Sequence, residues 1–270
     1  MKPLALLIAI IFILTMFSCG TDKNEFSQFS SFDGTNIAYT DEGNGDFVLL
    51  IHGFIVDGSV NWGSSELKKE LLASGYRVII PDLRGNGKSG KPQNEAAYRD
   101  DAEIKDLIAL MDHLGAKNYM AVGYSRGSIV LAKLLTKDDR ITKAVFGGMG
   151  LGFTQPDWNR RVAFGDVFSG RAQPDEITLG AVEYARSQKV DFKIMGYLQD
   201  HQPETTLDEL KAIQTETLVI AGEDDLDNGD PEDLQKALPN SRLSIVTGNH
   251  MSVFNQVDFA DEIVSFLKEN

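Results

Sequence analysis

Short apolar runs alternate with stretches of helical period along most of the chain. Residues 36–40 and 47–51 read as strands, with Glu42-Gly43-Asn44-Gly45 as the turn between them. Residues 64–73 follow a helical period and open on a serine suited to capping, and 76–81 return to an apolar run. Over 99–114 apolar residues recur at Ile104, Leu107, Ile108 and Met111, the stripe of an amphipathic helix. A strand at 118–122 then runs toward a helical pattern at 129–135 that continues to Lys137, and 142–149 is again strand-like. Strands at 217–221 and 242–246 and a helix at 252–267 close the chain. Apolar strands alternating with helices predict a mostly parallel sheet covered on both faces. Ligands in such sheets bind beyond the carboxyl ends of the strands.

One section breaks the alternation. From about 150 to 215 no strand is evident, and Phe164, Phe168, Tyr184, Phe192 and Tyr197 fall in short helices. This predicts a helical lid inserted between two strands, or a helical excursion packing its own small core; the two are compatible. The aromatic residues imply a mainly apolar pocket beneath it.

The length of 270 residues suits one large domain or two small ones, and no internal repeat is present. The net charge of −14 argues against a nucleic-acid partner, since phosphate binding needs a basic face. It identifies no substrate.

The N-terminus reads apart from the fold. Lys2 precedes an apolar run over residues 4–17, interrupted only by Thr15, and then come Ser18, Cys19 and Gly20. A positive charge, an apolar core and a small residue before a cut describe a secretory signal, and the run is short for a bilayer span. Cys19 is the only cysteine, so no disulfide framework is expected. Its position resembles the lipobox of bacterial lipoproteins, whose cysteine is lipidated and becomes the first mature residue. Met16 departs from the usual leucine, and Phe17 is bulky. A plain signal peptide with a chance cysteine is the alternative. The expected organisation is a signal peptide over 1–18, a polar tether over 19–31, and one folded domain over 32–270 with its lid at about 150–215. Lipidation at Cys19 implies an exported, membrane-anchored protein at the periplasm or cell surface.

Candidate chemistry centres on Gly123-Tyr124-Ser125-Arg126-Gly127. The G-x-S-x-G form suits a sharp strand-to-helix turn with the serine at its tip, and equally an ordinary turn serine. A serine hydroxyl is a poor nucleophile at neutral pH, so a base must take its proton. The four histidines are His52, His113, His201 and His250. His113 ends a helix, His201 lies in the lid, and His52 belongs to His52-Gly53-Phe54. His250 follows a strand and a small turn, from which it can reach back over the sheet. A carboxylate must orient that base, and Asp224 and Asp225 both follow the strand ending at Ala221.

Three other readings fail on spacing. Gly87-Lys88-Ser89 invites a phosphate-binding loop, but Asp82 stands where that pattern needs glycine. No G-x-G-x-x-G follows an early strand. A calcium loop opening at Asp225 would carry Gly229 and Lys236 at ligand positions. The acidic run through Asp227 and Asp230 therefore reads as a solvated loop, and neither metal nor cofactor is expected.

Five stretches together, HGF at 52–54, D-x-R-G-x-G-x-S at 82–89, G-Y-S-R-G at 123–127, G-E-D-D at 222–225 and G-N-H at 248–250, resemble the α/β-hydrolase superfamily in its order. The resemblance covers about 31–270 except the lid. It implies an α/β-hydrolase fold: a mostly parallel sheet, helices on both faces and a small inserted helical lid. It implies Ser125 as nucleophile, His250 as base and Asp225 as acid, the family's acid usually standing three residues after the glycine; Asp224 is the other candidate. It also implies the backbone N–H groups of Phe54 and Arg126 as oxyanion donors. The Arg126 side chain either pairs with a lid acid such as Asp157 or Asp166, meets an anionic substrate, or points away along the helix. A small carboxylic ester is the implied substrate. Serine in place of aspartate at the turn argues against the haloalkane dehalogenase and epoxide hydrolase branches. Alternatives with the same fold and triad are C–C bond hydrolases, lactonases, cofactor-free haloperoxidases and proline aminopeptidases. The last would need a carboxylate cluster, for which Asp157, Asp166, Glu176 and Glu183 are candidates. A silent surface binding module would require a broken triad.

Overall fold

A computed structural model describes residues 26–269. The expected signal peptide and Cys19 lie outside them. Among the described residues no helix is long and apolar enough to cross a membrane.

Eight strands form one sheet: β1 (Ser27–Ser30), β2 (Asn36–Glu42), β3 (Phe47–Ile51), β4 (Arg77–Pro81), β5 (Tyr119–Tyr124), β6 (Ile141–Gly147), β7 (Glu216–Gly222) and β8 (Ser241–Val246). Their order is β1-β2-β4-β3-β5-β6-β7-β8. β1 and β2 join antiparallel at one edge, and every pairing from β4 to β8 is parallel.

Strand alternation sorts the core into two layers. Leu49 and Ile51 of β3, Ile79 of β4, Ala144 and Phe146 of β6 and Val219 of β7 face one side. There they meet Leu107, Leu110 and Met111 of α3 (Ala102–His113), Ile129, Leu131 and Leu134 of α4 (Arg126–Leu135) and Leu234 of α9 (Pro231–Ala237). Their neighbours Val48, Leu50, Val78, Ile80, Val145, Leu218 and Ile220 face the other side. These pack on Leu67 and Leu71 of α2 (Glu66–Ala73) and Phe259, Ile263 and Phe266 of α10 (Val257–Lys268). Both faces being covered explains why the strands read as apolar runs.

Between β6 and β7 four helices form the lid: α5 (Asn159–Phe168), α6 (Leu179–Ser187), α7 (Phe192–Asp200) and α8 (Leu207–Ala212). Phe164, Phe168, Val182, Ile194 and Leu198 form a third apolar cluster, closed below by Ile55 and Tyr98 of the sheet domain. β6 and β7 remain direct neighbours, so the lid interrupts the sequence and not the sheet.

Several elements differ from the expected ones. Ser27–Ser30, expected in the tether, is a strand whose Phe29 is buried against Tyr39 and His113. Residues 99–101 are not helical: Asp100 and Asp101 have φ of 55° and 56°, and α3 starts at Ala102. The closing helix begins at Val257, after a separate turn at Val253–Asn255. Short α1 (Gly58–Trp62) and α9 were not expected. The acidic run is also more than a solvated loop. Asp230 caps α9 by accepting from Glu232 N–H, and buried Asn228 donates to the Gly148 carbonyl at 3.0 Å.

Candidate active site

β5 lies centrally, where strand order reverses: β4 follows β3 on one side and β5 flanks it on the other. Beyond its carboxyl end the chain turns directly into α4, and Ser125 holds the turn at φ 53°, ψ −124°. A non-glycine residue here is strained and persists only because its surroundings fix it. The Ser125 N–H donates to the Gly147 carbonyl at 2.8 Å. The flanking glycines permit the close approach. A Cβ at Gly123 would stand 2.4 Å from the Gly127 carbonyl oxygen, and one at Gly127 would stand 2.3 Å from that of Ile51.

The turn after β8 brings His250 to Ser125, with Nε2 3.0 Å from Oγ. On its other side Nδ1 lies 2.9 Å from Asp225 Oδ1. The Asp225 side chain is 1% exposed. Asp224, the other candidate, is exposed and does not contact the histidine. A carboxylate on Nδ1 selects the tautomer with its proton there, leaving Nε2 as an acceptor facing the hydroxyl. Tyr124 supports the ring from beneath: its own ring stacks on His250 at 5.2 Å between centroids, and its hydroxyl donates to the His250 carbonyl. Burial, with the Asp225 charge nearby, pushes the Tyr124 phenol far above its ordinary pKa, so it remains a donor.

The backbone N–H groups of Phe54 and Arg126 donate to no protein acceptor among the described residues. Both residues line the cavity that contains Ser125 and His250. The segment carrying Phe54 is fixed from both sides. Gly53 N–H donates to Asn61 Oδ1 at 2.9 Å. Fully buried His52 holds the Gly53 carbonyl through Nδ1 at 2.8 Å and accepts from Leu83 N–H through Nε2 at 3.0 Å. Burial lowers the His52 pKa, which favours the neutral form these bonds require.

The cavity measures about 680 Å³ and lies between the sheet's carboxyl edge and the lid. Ile129, Met149, Trp158, Phe164 and Tyr184 make much of its wall apolar.

Comparison with known proteins agrees with this geometry. Residues 46–189, more than half of the chain, match the family model described as the alpha/beta hydrolase fold. The chain belongs to the α/β-hydrolase fold family. An epoxide hydrolase of Caballeronia sordidicola is 35% identical over 43% of this chain and 34% of its own length. A non-heme haloperoxidase of Rhodococcus erythropolis is 35% identical over 43% of this chain and 41% of its own length. The chain thus spans well under half the length of these two relatives. The solved esterase from Exiguobacterium antarcticum superposes with a TM-score of 0.72 at 22% identity, covering 90% of this chain and 99% of that one. At that identity it speaks for the fold.

Other expected residues fall differently in this α/β-hydrolase. Of the lid aromatics, Phe164 and Tyr184 line the cavity. Phe168 and Phe192 pack against each other in the lid's own core, and Tyr197 packs at a tilt against Tyr98. The Arg126 side chain pairs with neither Asp157 nor Asp166. It is 4% exposed and bonds both oxygens of Glu103 in α3, at 2.8 and 2.7 Å, and the Leu198 carbonyl in α7 at 2.9 Å. Asp166 bonds Arg171 instead. Of the four acids considered for binding an amine, Glu176 alone borders the cavity. Arg84 bonds Asp106 and Asp33 and is fully buried, so the 82–89 loop is a structural brace. The sequence reading missed Asn61, Tyr124 and Glu103 as supports. Tyr124 adjoins the serine and was open to inspection; Asn61 reaches back eight residues to Gly53 and Glu103 reaches Arg126 across 23, and neither carried a recognisable motif.

Proposed function

We propose that this protein is a serine hydrolase that cleaves a carboxylic ester or a related acyl bond through an acyl-enzyme on Ser125. The observation that carries the reading is His250, bonded through one nitrogen to Ser125 Oγ and through the other to Asp225.

His250 Nε2 takes the hydroxyl proton as Oγ attacks the acyl carbon. Negative charge then gathers on the former carbonyl oxygen, where the N–H groups of Phe54 and Arg126 receive it. The imidazolium, steadied by Asp225, returns the proton to the departing alkoxide. The same histidine next deprotonates a water that attacks the acyl-enzyme, and the acid leaves as Ser125 regains its proton. No step requires a metal or cofactor.

A second reading follows from the haloperoxidase relative. If hydrogen peroxide replaces water in the second attack, the same acyl-enzyme releases a peracid. The same site also suits a lactone, an intramolecular ester. The export reading concerns location: a lipid on Cys19, supported by the signal-like run before it, holds the hydrolase at a membrane surface.

The test is intact-mass analysis after treatment with a fluorophosphonate. Wild type is expected to gain one adduct, Ser125→Ala none, and His250→Ala one only slowly. A folded wild-type protein that gains no adduct would overturn the reading and favour a binding module.

A further inference from the structure

The cavity wall opposite the sheet carries polar groups that the proposed chemistry does not use. Arg160 and Arg161 stand together in the first turn of α5, and both line the cavity. In a chain of net charge −14, two cations facing one cavity are notable. Arg161 Nη2 bonds Glu204 at 2.8 Å, yet its Nη1 is buried with no hydrogen-bond partner in the protein. The bond to Glu204 sets this guanidinium against the segment after α7, which includes Gln202. Gln202 is 4% exposed, lines the same cavity, and leaves its Nε2 buried and unpartnered. A buried donor without an acceptor is unfavourable, and two of them on one cavity wall are placed to be satisfied by an acceptor bound there.

Arg160 adds charge to this wall. Its guanidinium lies over the Phe164 ring, 4.8 Å from the centroid, and makes no ion pair among the described residues. Burial lowers its pKa, and the charges of Asp227 and Asp225 only partly offset that effect. Of the cavity's own acids, Glu176 is exposed and Asp227 lies beyond ion-pair distance of either arginine. The wall is therefore short of negative charge.

We infer that the cavity selects an acyl substrate that itself carries a carboxylate, held by Arg161 and Gln202 with Arg160 alongside. The inference rests on the hydrolase reading only for the bond that breaks. Arg161 Nη1 and Gln202 Nε2 are NH2 groups without a protein acceptor on the same cavity wall, donors of the kind that the two oxygens of a carboxylate accept, and a charge-assisted bond is the stronger kind.

The test separates binding from turnover. Calorimetry on Ser125→Ala compares 4-acetoxybenzoate with its uncharged methyl ester. The anion is expected to bind more tightly by about tenfold or more, as one charged hydrogen bond predicts. Added substitutions Arg161→Gln, Arg160→Gln or Gln202→Leu are expected to shrink that ratio toward unity. Because the ratio is internal to each protein, a misfolded variant, losing both ligands, is recognised. Equal affinities in the Ser125→Ala protein, or a preference that survives both arginine substitutions, would overturn the inference. In wild type the anionic ester should also have the larger kcat/KM once each rate is divided by its rate with hydroxide. If wild type cleaves neither ester while Ser125→Ala still prefers the anion, the hydrolase reading fails and the carboxylate site stands.

Discussion

At Ser125 the backbone and the chemistry depend on each other. Its φ of 53° aims Oγ out of the turn toward His250, and glycines at 123 and 127 make that geometry possible. The two neighbouring aspartates then differ sharply. Asp225 is buried against Nδ1 of His250, whereas Asp224 is exposed. Asp225→Asn would present an amide that no longer favours the Nδ1–H tautomer. The expected loss in kcat is roughly 10³–10⁴-fold, because the base would point its proton at the serine. Asp224→Asn should change kcat within about twofold, as for an ordinary surface substitution. Steady-state rates on a simple phenyl ester check both, and equal losses would remove Asp225 from its assigned place. The order of serine, acid and histidine was legible in the chain because each follows a strand end. Tyr124 adjoins the serine in the sequence, but its stacking on His250, 126 positions away, becomes visible only in the fold.

Among the elements, α3, α4 and α7 meet at one buried ion pair. Arg126 begins α4, Glu103 lies in the first turn of α3, and the Leu198 carbonyl belongs to α7 in the lid. The helices themselves were legible from their apolar stripes. Their junction was not, since a charged residue beside the serine suggested a partner in the lid or the substrate. Removing one partner leaves the other charge buried. Glu103→Gln is therefore expected to lower stability by about 3–5 kcal/mol, measured by urea unfolding. Replacing both, as Glu103→Leu with Arg126→Met, should recover most of that loss, since apolar pairs often substitute for buried ion pairs. The double variant keeps the Arg126 position's backbone N–H, so ester turnover should persist. A Glu103→Gln protein as stable as wild type would mean that solvent reaches Arg126. The short α1 and α9 escaped sequence reading for a different reason. They are five and seven residues long, too short for a helical period to declare itself.

Over the whole molecule, the division of labour follows the chain's one break in alternation. The sheet closes beneath the lid through direct β6–β7 pairing, so the insert leaves undisturbed the strand ends that carry Ser125, Asp225 and His250. This organisation was legible because apolar runs vanish between β6 and β7. What the lid does with its residues was not legible, since aromatic residues in short helices serve a private core as readily as a pocket. The fold also starts earlier than its polar N-terminal composition suggests. Phe29 is the one buried residue of β1, while Ser27, Gln28 and Ser30 are exposed, so three polar residues in four concealed an edge strand. The proposed lipid would then join the domain only a few residues before that strand. Cys19→Ser, expressed with its native N-terminus, is expected to move the protein from the membrane pellet to the soluble fraction. Incorporation of labelled palmitate should disappear at the same time. Because the triad lies wholly within the described domain, the released protein should keep its kcat on a soluble ester. Continued sedimentation of the Cys19→Ser protein with membranes, and wild type without label, would show that some other feature sets its location.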